Sequence, residues 1–445
     1  MLCKHLTTMR YVSTNGKSAT LRQAVEQCYA GDGNLYLPGR LPLLPQAYFN
    51  NIGQMTLSEI AFVVMRTLLD EEIDAPVLKD IVDRSFDIRM PLVELEPDRF
   101  VMEMFHGPTM AFKDFSAKFL GEVIKHFHRP GRGHVRIYVA TTGNTGGAVA
   151  NAVGAVDGVD VLILFPRGAL TRAQRAQFST IAPNIHPIEV GGSIGQCKTM
   201  VRQAIEDPDL SDGSLQVCAN TQNILRILPQ VVFFFHAYAR LRERLGDRAD
   251  GFTVSIPCGN LSNLTAAVIA RRMGLPMGLI VAGCNANDDF KRLLDGNLRP
   301  DEVNRTARPT LAAAMDSGYP ANLPRLLHLY GGDIGAMRAD IVAVAADDDA
   351  IADTINTCIF DHRYTADPHT AVALYAARRA APAGRPVVAL ATAHPAKSLD
   401  TMTSITGRAV ELPLQFTRFM SKPAAADKLA PTFHALKKYI ADRGY

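Results

Sequence analysis

Twice in this chain a short apolar run empties into a loop of small polar residues, which opens a helical stretch that returns to a second apolar run. The first copy comprises the β-rich run 135–140, the loop Thr141-Thr142-Gly143-Asn144-Thr145-Gly146, an alanine-rich stretch at 147–156 and the run 159–165. The second comprises the run 252–257, the loop Cys258-Gly259-Asn260-Leu261-Ser262-Asn263, the stretch 264–273 and the run 277–283. Strands joined through a helix pair in parallel, because the crossover brings the chain back to the same end of the sheet. Near-continuous apolar strands belong to a sheet covered on both faces. A further run at 386–391 ends in Thr392-Ala393-His394. Three strands that each end in a polar loop describe an open α/β sheet with its site at the strands' carboxyl ends.

The 445 residues leave room for about three units at ~150 residues each. The first ninety or so read as mainly helical with loops: a capped start at 20–25, a Gly/Pro-rich loop at 31–45 and helical spacing at 57–69. The expected division is an N-terminal unit at 1–95 and an α/β core at 96–445, with a smaller αβ subdomain nested at roughly 115–190. The stretch 285–348 interrupts the alternation and reads as an insertion; 424–442 reads as an amphipathic closing helix. Lys plus Arg number 47 and Asp plus Glu 44, a net charge of +3. That balance gives no reason to expect a nucleic-acid or membrane partner. Cysteines at 3, 28, 197, 218, 258, 284 and 358 form no CxxC pair and no metal-ligand cluster, so no metal is expected and free thiols in the cytoplasm are. The polar start Met1-Leu2-Cys3-Lys4-His5 does not read as a signal peptide. The run Val231-Val232-Phe233-Phe234-Phe235 falls short of the roughly 20 residues that span a bilayer.

In Phe105-His106-Gly107-Pro108-Thr109-Met110-Ala111-Phe112-Lys113-Asp114-Phe115 a lysine stands between two aromatics, behind a Gly-Pro turn. Apolar surroundings disfavour an ammonium and lower its pKa, the condition for a Schiff-base lysine, since only the neutral amine attacks a carbonyl. The same residues also describe a lysine snorkelling from a helix start with Asp114 as salt-bridge partner. Loop 141–146 holds N–H groups and hydroxyls at the positive end of a helix dipole, a cradle for carboxylate or phosphate. It is equally a left-handed turn with an N-cap, and loop 259–263 shares both readings. Neither is a Walker A or GxGxxG sequence, so nucleotide binding is disfavoured. Two anion cradles and one such lysine together fit pyridoxal 5'-phosphate: one loop for its phosphate, the other for a substrate carboxylate, and the lysine for its aldehyde.

The lysine segment, loop 258–263 and the late run Ala391-Thr392-Ala393-His394-Pro395-Ala396-Lys397 resemble motifs of the threonine synthase family, pyridoxal-phosphate enzymes of fold type II, the tryptophan-synthase-β-like fold. Met9-Arg10-Tyr11-Val12-Ser13-Thr14, Leu35-Tyr36-Leu37-Pro38, Ala314-Met315-Asp316 and Asp367-Pro368-His369-Thr370-Ala371 extend the likeness over nearly the whole length. The resemblance implies open, mostly parallel sheets with helices on both faces, preceded by a mainly helical domain. It implies that Lys113 carries the cofactor covalently and acts in catalysis. Asn144 would face the cofactor's phenolic oxygen, Gly259, Asn260, Leu261, Ser262 and Asn263 its phosphate, and Thr392 its pyridine nitrogen. Thr142, Gly143 and Thr145 would hold the substrate carboxylate; Thr221, Asn223 and Arg226 would hold a substrate phosphate. The implied reaction is that of a carbon–oxygen lyase, O-phospho-L-homoserine and water giving L-threonine and phosphate by γ-elimination and β-addition of water. The implied partner is that small phosphorylated amino acid alone, bound by a monomer or homodimer.

The chain departs from the family pattern at four places. Loop 142–146 has Asn144 where Ser-Gly-Asp-Thr-Gly has Asp, and Asn220-Thr221-Gln222-Asn223-Ile224-Leu225-Arg226 replaces Asn-Ser-x-Asn-x-x-Arg. Leu261-Ser262 replaces Phe-Gly, and Ser193-Ile194-Gly195-Gln196 replaces Thr-Phe-Asp-Asp. Two other readings keep the fold: a paralogue acting on another phosphorylated or phosphonate amino acid, and a non-catalytic ligand-binding protein.

Overall fold

A computed structural model describes residues 10–444 apart from 32, 71, 129–133, 180, 212, 304, 305, 409 and 421–423. The start of the 1–95 unit, Met9 and Cys3 lie outside the described residues. Strands β1 (Tyr11–Ser13), β2 (Ser18–Ala19) and β3 (Tyr36–Pro38) form a small antiparallel sheet of order β2-β1-β3. The N-terminal region is mainly helical, as expected; the sequence does not disclose the small sheet beside its helices, because runs of two or three residues carry no readable periodicity. Helices Leu21–Gln27 and Leu57–Leu69 each start at a reciprocal capping box, Thr20 with Gln23 and Thr56 with Glu59. The Tyr11 hydroxyl donates to the Leu68 carbonyl at 2.8 Å, tying the sheet to the second helix.

The hairpin of β4 (Leu92–Glu96) and β5 (Arg99–Glu103) is followed by β6 (Val135–Ala140) and β7 (Val159–Pro166), the strands of the first repeat, and then by β8 (Ile185–Val190) and β9 (Leu215–Cys218). The second repeat supplies β10 (Phe252–Pro257) and β11 (Met277–Cys284), and β12 (Ile341–Ala345), β13 (Val387–Ala391) and β14 (Asp427–Leu429) follow. They assemble into a large sheet of order β12-β11-β10-β13-β5-β4, parallel except at the β4–β5 hairpin, and a smaller sheet of order β14-β8-β7-β6-β9, parallel throughout. The buried faces of β6, β7, β10 and β13 are those of doubly covered strands.

Several boundaries move. The helix after loop 141–146 begins at Asn144, so Asn144 and Thr145 lie in its first turn. The smaller sheet continues past 190 to β9 and borrows β14 from the far end of the chain. Stretch 285–348 contains β12, an edge strand of the large sheet, and 424–442 divides into β14 and helix Phe433–Arg443. The aromatic run extends into a helical segment, Ile224–Ala249, that by length and composition is long and apolar enough to cross a membrane. Its most apolar window is 94% buried inside the protein, where Phe233 and Phe235 pack against Phe115 and Phe49, so it is the core helix here.

Candidate active site

The carboxyl ends of β6, β10 and β13 converge on a cavity of about 1160 Å³. Lys113, at the first position of helix Lys113–Phe127, opens into it. The segment before that helix runs antiparallel to the end of β13: the N–H of Phe112 donates to the Thr392 carbonyl at 2.9 Å, and that of His394 to the Met110 carbonyl at 3.1 Å. This strap sets Lys113 beside Thr392, which also lines the cavity.

Burial, and secondarily the charge of Arg226, push the Lys113 ammonium down to about 7. Its Nζ lies 4.3 Å from the centroid of the Phe112 ring. Asp114, the alternative salt-bridge partner, turns away and accepts hydrogen bonds from the backbone and hydroxyl of Thr109. Gly107 packs so closely on Asp114 that a Cβ there would collide with the carboxylate. The Lys397 ammonium is buried behind this turn, donating to the Thr109 carbonyl at 2.8 Å and to Gln177 Oε1 at 2.6 Å.

Loop 141–146 wraps the start of helix Asn144–Val153. The Thr141 hydroxyl oxygen accepts from the N–H groups of Gly143 and Gly146, so those two amides are already used. Gly143 needs its φ of 123° and leaves no room for a Cβ against Gln174. It shapes the loop from behind the wall, while Thr142, Asn144 and Thr145 line the cavity. Residues 259–263 also line the cavity and run into the first turn of helix Ser262–Arg272. A Cβ on Gly259 would collide with the Met315 carbonyl, and Leu261 takes a left-handed φ of 58°, a conformation strained for a branched side chain. Asn260 donates to the Thr221 hydroxyl at 2.8 Å and accepts from the Ala321 N–H at 2.6 Å.

The substrate-phosphate residues divide. Thr221 lines the cavity; Asn223 and Arg226 do not. The Asn223 amide donates to the carbonyls of Val25 and Cys218 at 3.1 Å each, and its side-chain oxygen accepts from the Leu225 N–H. As a direct substrate contact it is therefore displaced by a loop-bracing role. Arg226 is wholly buried, and its Nε, Nη1 and Nη2 have no partner among the described residues. Burial pushes its pKa down to about 10, which leaves it cationic at neutral pH. A buried cation without partners is costly and marks a place that an anion would stabilise.

Known proteins share this layout from end to end. Residues 89–393 match the pyridoxal-phosphate dependent enzyme family, residues 10–86 the threonine synthase N terminus and residues 370–440 the threonine synthase C-terminal region. Threonine synthase of Haemophilus influenzae is 32% identical over 425 residues, covering 95% of this chain and 97% of the relative. The chain belongs to the threonine synthase family. Threonine synthase of Escherichia coli is likewise 32% identical over 427 residues, 96% of this chain and 97% of the relative. The crystal structure of Escherichia coli threonine synthase superposes with a TM-score of 0.90 at 30% identity, covering 98% of this chain and 100% of that one. A pyridoxal-phosphate-bound threonine synthase from Brucella melitensis gives 0.88 at 29% identity, over 98% and 99%.

The cavity fits pyridoxal phosphate on its own chemistry. The Asn144 side-chain oxygen and both polar atoms of the Asn263 amide are buried without partners among the described residues, a deficit that a polar ligand between the two loops would remove. Two helix starts face the same space, and Lys113 offers an amine that is partly neutral at physiological pH. Sequence reasoning missed Arg325, which is wholly buried. Its guanidinium donates to the carbonyls of Tyr36 at 3.0 Å and Gln222 at 2.7 Å, to that of Thr221, and to Asn322 Oδ1 at 2.7 Å. No motif announces such a residue, because its partners are backbone oxygens far apart in sequence. His369 is buried; its Nε2 accepts from the Ala314 N–H at 3.2 Å while Nδ1 faces Asp367, so it fixes the turn that carries Met315 against Gly259.

Proposed function

We propose that this chain catalyses the conversion of O-phospho-L-homoserine and water to L-threonine and phosphate. The observation that carries the reading is Lys113: an amine pushed down to about 7, open to a cavity walled by two helix starts and the Thr392 hydroxyl. Bound pyridoxal phosphate would supply an electron sink for the charge that develops at the substrate's α carbon. Lys113 would hold it, with loop 259–263 around its phosphate, Asn144 at its phenolic oxygen and Thr392 at its ring nitrogen.

The chain's own groups would do the rest. Lys113, once free, takes the α proton and relays protons at the β carbon, a role suited to a group whose pKa lies near working pH. Thr142 and Thr145, with the loop amides that Thr141 does not occupy, orient the carboxylate. Thr221 and the field of Arg226 draw the phosphate, which leaves from the γ carbon before water adds at the β carbon. Fixed cations and hydroxyls at the leaving group act without reorganising during the step. The sequence division at about residue 95 suits this chemistry, with an N-terminal unit covering a catalytic core. The small overall charge and the six described cysteines, all free and buried, support a cytoplasmic enzyme, monomer or homodimer, whose partner is this small molecule and not nucleic acid or membrane.

The test is threonine formation from O-phospho-L-homoserine by the purified, cofactor-loaded protein. Lys113→Ala is expected to abolish both the cofactor's bound absorbance and turnover, by at least about a thousandfold. Turnover that survives the substitution would overturn the lysine assignment; release of phosphate without threonine would overturn the reaction.

A further inference from the structure

The cavity extends beyond the groups the reaction uses. Along helix Ile194–Glu206 the residues Ile194, Gly195, Lys198, Thr199 and Arg202 line its wall, the stripe that a period of 3.6 turns to one side. Tyr29, Gly33, Asn34 and Leu35 line it from the N-terminal region. The two sides fit closely: the Arg202 guanidinium lies 5.4 Å from the Tyr29 ring centroid, and a Cβ on Gly33 would come within 2.6 Å of Arg202 Nη2. Arg202 pairs with Glu206 at 2.9 Å. Lys198 makes no ion pair or hydrogen bond among the described residues, and burial lowers its pKa.

Lys198 and Arg202 stand four residues apart, where like charges repel, and both line the same cavity. The carboxylates among the lining residues, Asp301 and Asp316, are committed elsewhere: Asp301 to Arg299 at 3.3 Å, Asp316 to Asn285 at 2.8 Å and Thr310 at 2.7 Å. A partly desolvated Lys198 ammonium with no ion pair among the described residues, one turn from a guanidinium that Glu206 already pairs, is an arrangement that a dianion would stabilise.

We propose that this end of the cavity is a phosphoryl-binding subsite in which Lys198, flanked by Arg202, recognises the doubly charged phosphoryl group of the substrate on entry or inorganic phosphate on exit. The subsite is separate from Arg226, which lies behind the wall. It makes Lys198 a specificity-determining residue for phosphorylated substrates, and it rests on the reading that the substrate carries a phosphate.

The experiment compares cofactor-loaded wild type, Lys198→Met and Lys198→Arg. Inorganic phosphate binding is measured by calorimetry, and KM and kcat are measured with O-phospho-L-homoserine. Loss of a charge-assisted contact is expected to weaken binding by about tenfold or more, with kcat held within about threefold and most of the affinity regained in Lys198→Arg. A raised KM alone supports the subsite with substrate phosphoryl as its ligand; weakened phosphate binding alone supports it with the product. If both stay within about twofold of wild type, or if kcat falls while both hold, the proposal is overturned. A wild type that fails to turn over phosphohomoserine defeats the proposed reaction instead, and phosphate calorimetry still decides the subsite.

Discussion

Lys113 and Arg226 are coupled through space, and the coupling has a sign that can be measured. The Lys113 amine sheds its proton as pH rises through about 7, so its nucleophilic fraction grows in that direction. In cofactor-free protein the rate of covalent cofactor attachment, followed by absorbance, should rise with pH through a midpoint near 7 and then level off. Arg226→Gln removes a neighbouring positive charge that disfavours the ammonium, and should move that midpoint upward by about one pH unit. An unmoved midpoint would mean that Arg226 does not act on Lys113. Lys113, Thr392 and the two loops were legible in the sequence because each sits in a contiguous run whose residue types carry chemistry. The withdrawal of Asn223 behind the wall was not, since its Val25 partner lies 198 residues away. Lys198 was not either, because an unpaired charge is recognised only when everything around it is known.

Polar contacts tie together elements of the cavity wall that lie far apart in sequence. Arg325 joins β3, through the Tyr36 carbonyl, to the turn at Thr221 and Gln222, and Thr221 in turn receives Asn260 and Asn322. A lysine has one ammonium and cannot span these oxygens as a planar fork does. Arg325→Lys should therefore destabilise the protein by about 3 kcal/mol, read as a lowered thermal midpoint, and should raise KM through the displaced Thr221 wall. A midpoint equal to wild type would show that the fork carries no stability. Long elements were readable from pattern: residues 57–69 form the expected helix, and the two repeats form the expected parallel units. Short ones were not. The three strands of the N-terminal sheet are fixed by pairing partners that no local pattern discloses.

At the scale of the whole molecule the chain closes on itself: β14 pairs in parallel with β8, Asp427 opposite Ile188 and Leu429 opposite Val190. The following helix, Phe433–Arg443, buries Leu436, Tyr439 and Ile440, and Lys437 donates to Asp207 and Asp209 at the end of helix Ile194–Glu206. The far end of the chain thus covers the open edge of the smaller sheet and braces the helix that carries Lys198. A sequence reading of 424–442 as one helix hides this, because three strand residues look no different from a helix approach until β8 is there to receive them. Removing residues 425–445 would expose the β8 edge together with the apolar surface beneath Leu436 and Ile440, the conditions for edge-to-edge association. The truncated protein is expected to elute as aggregates on size exclusion, whereas the full chain elutes as a discrete species. Any soluble fraction should bind inorganic phosphate more weakly while retaining covalent cofactor at Lys113, since the large sheet and its loops remain intact. A truncated protein that stays discrete in size and binds phosphate as the full chain does would show that the closing strand is dispensable to both the sheet edge and the subsite.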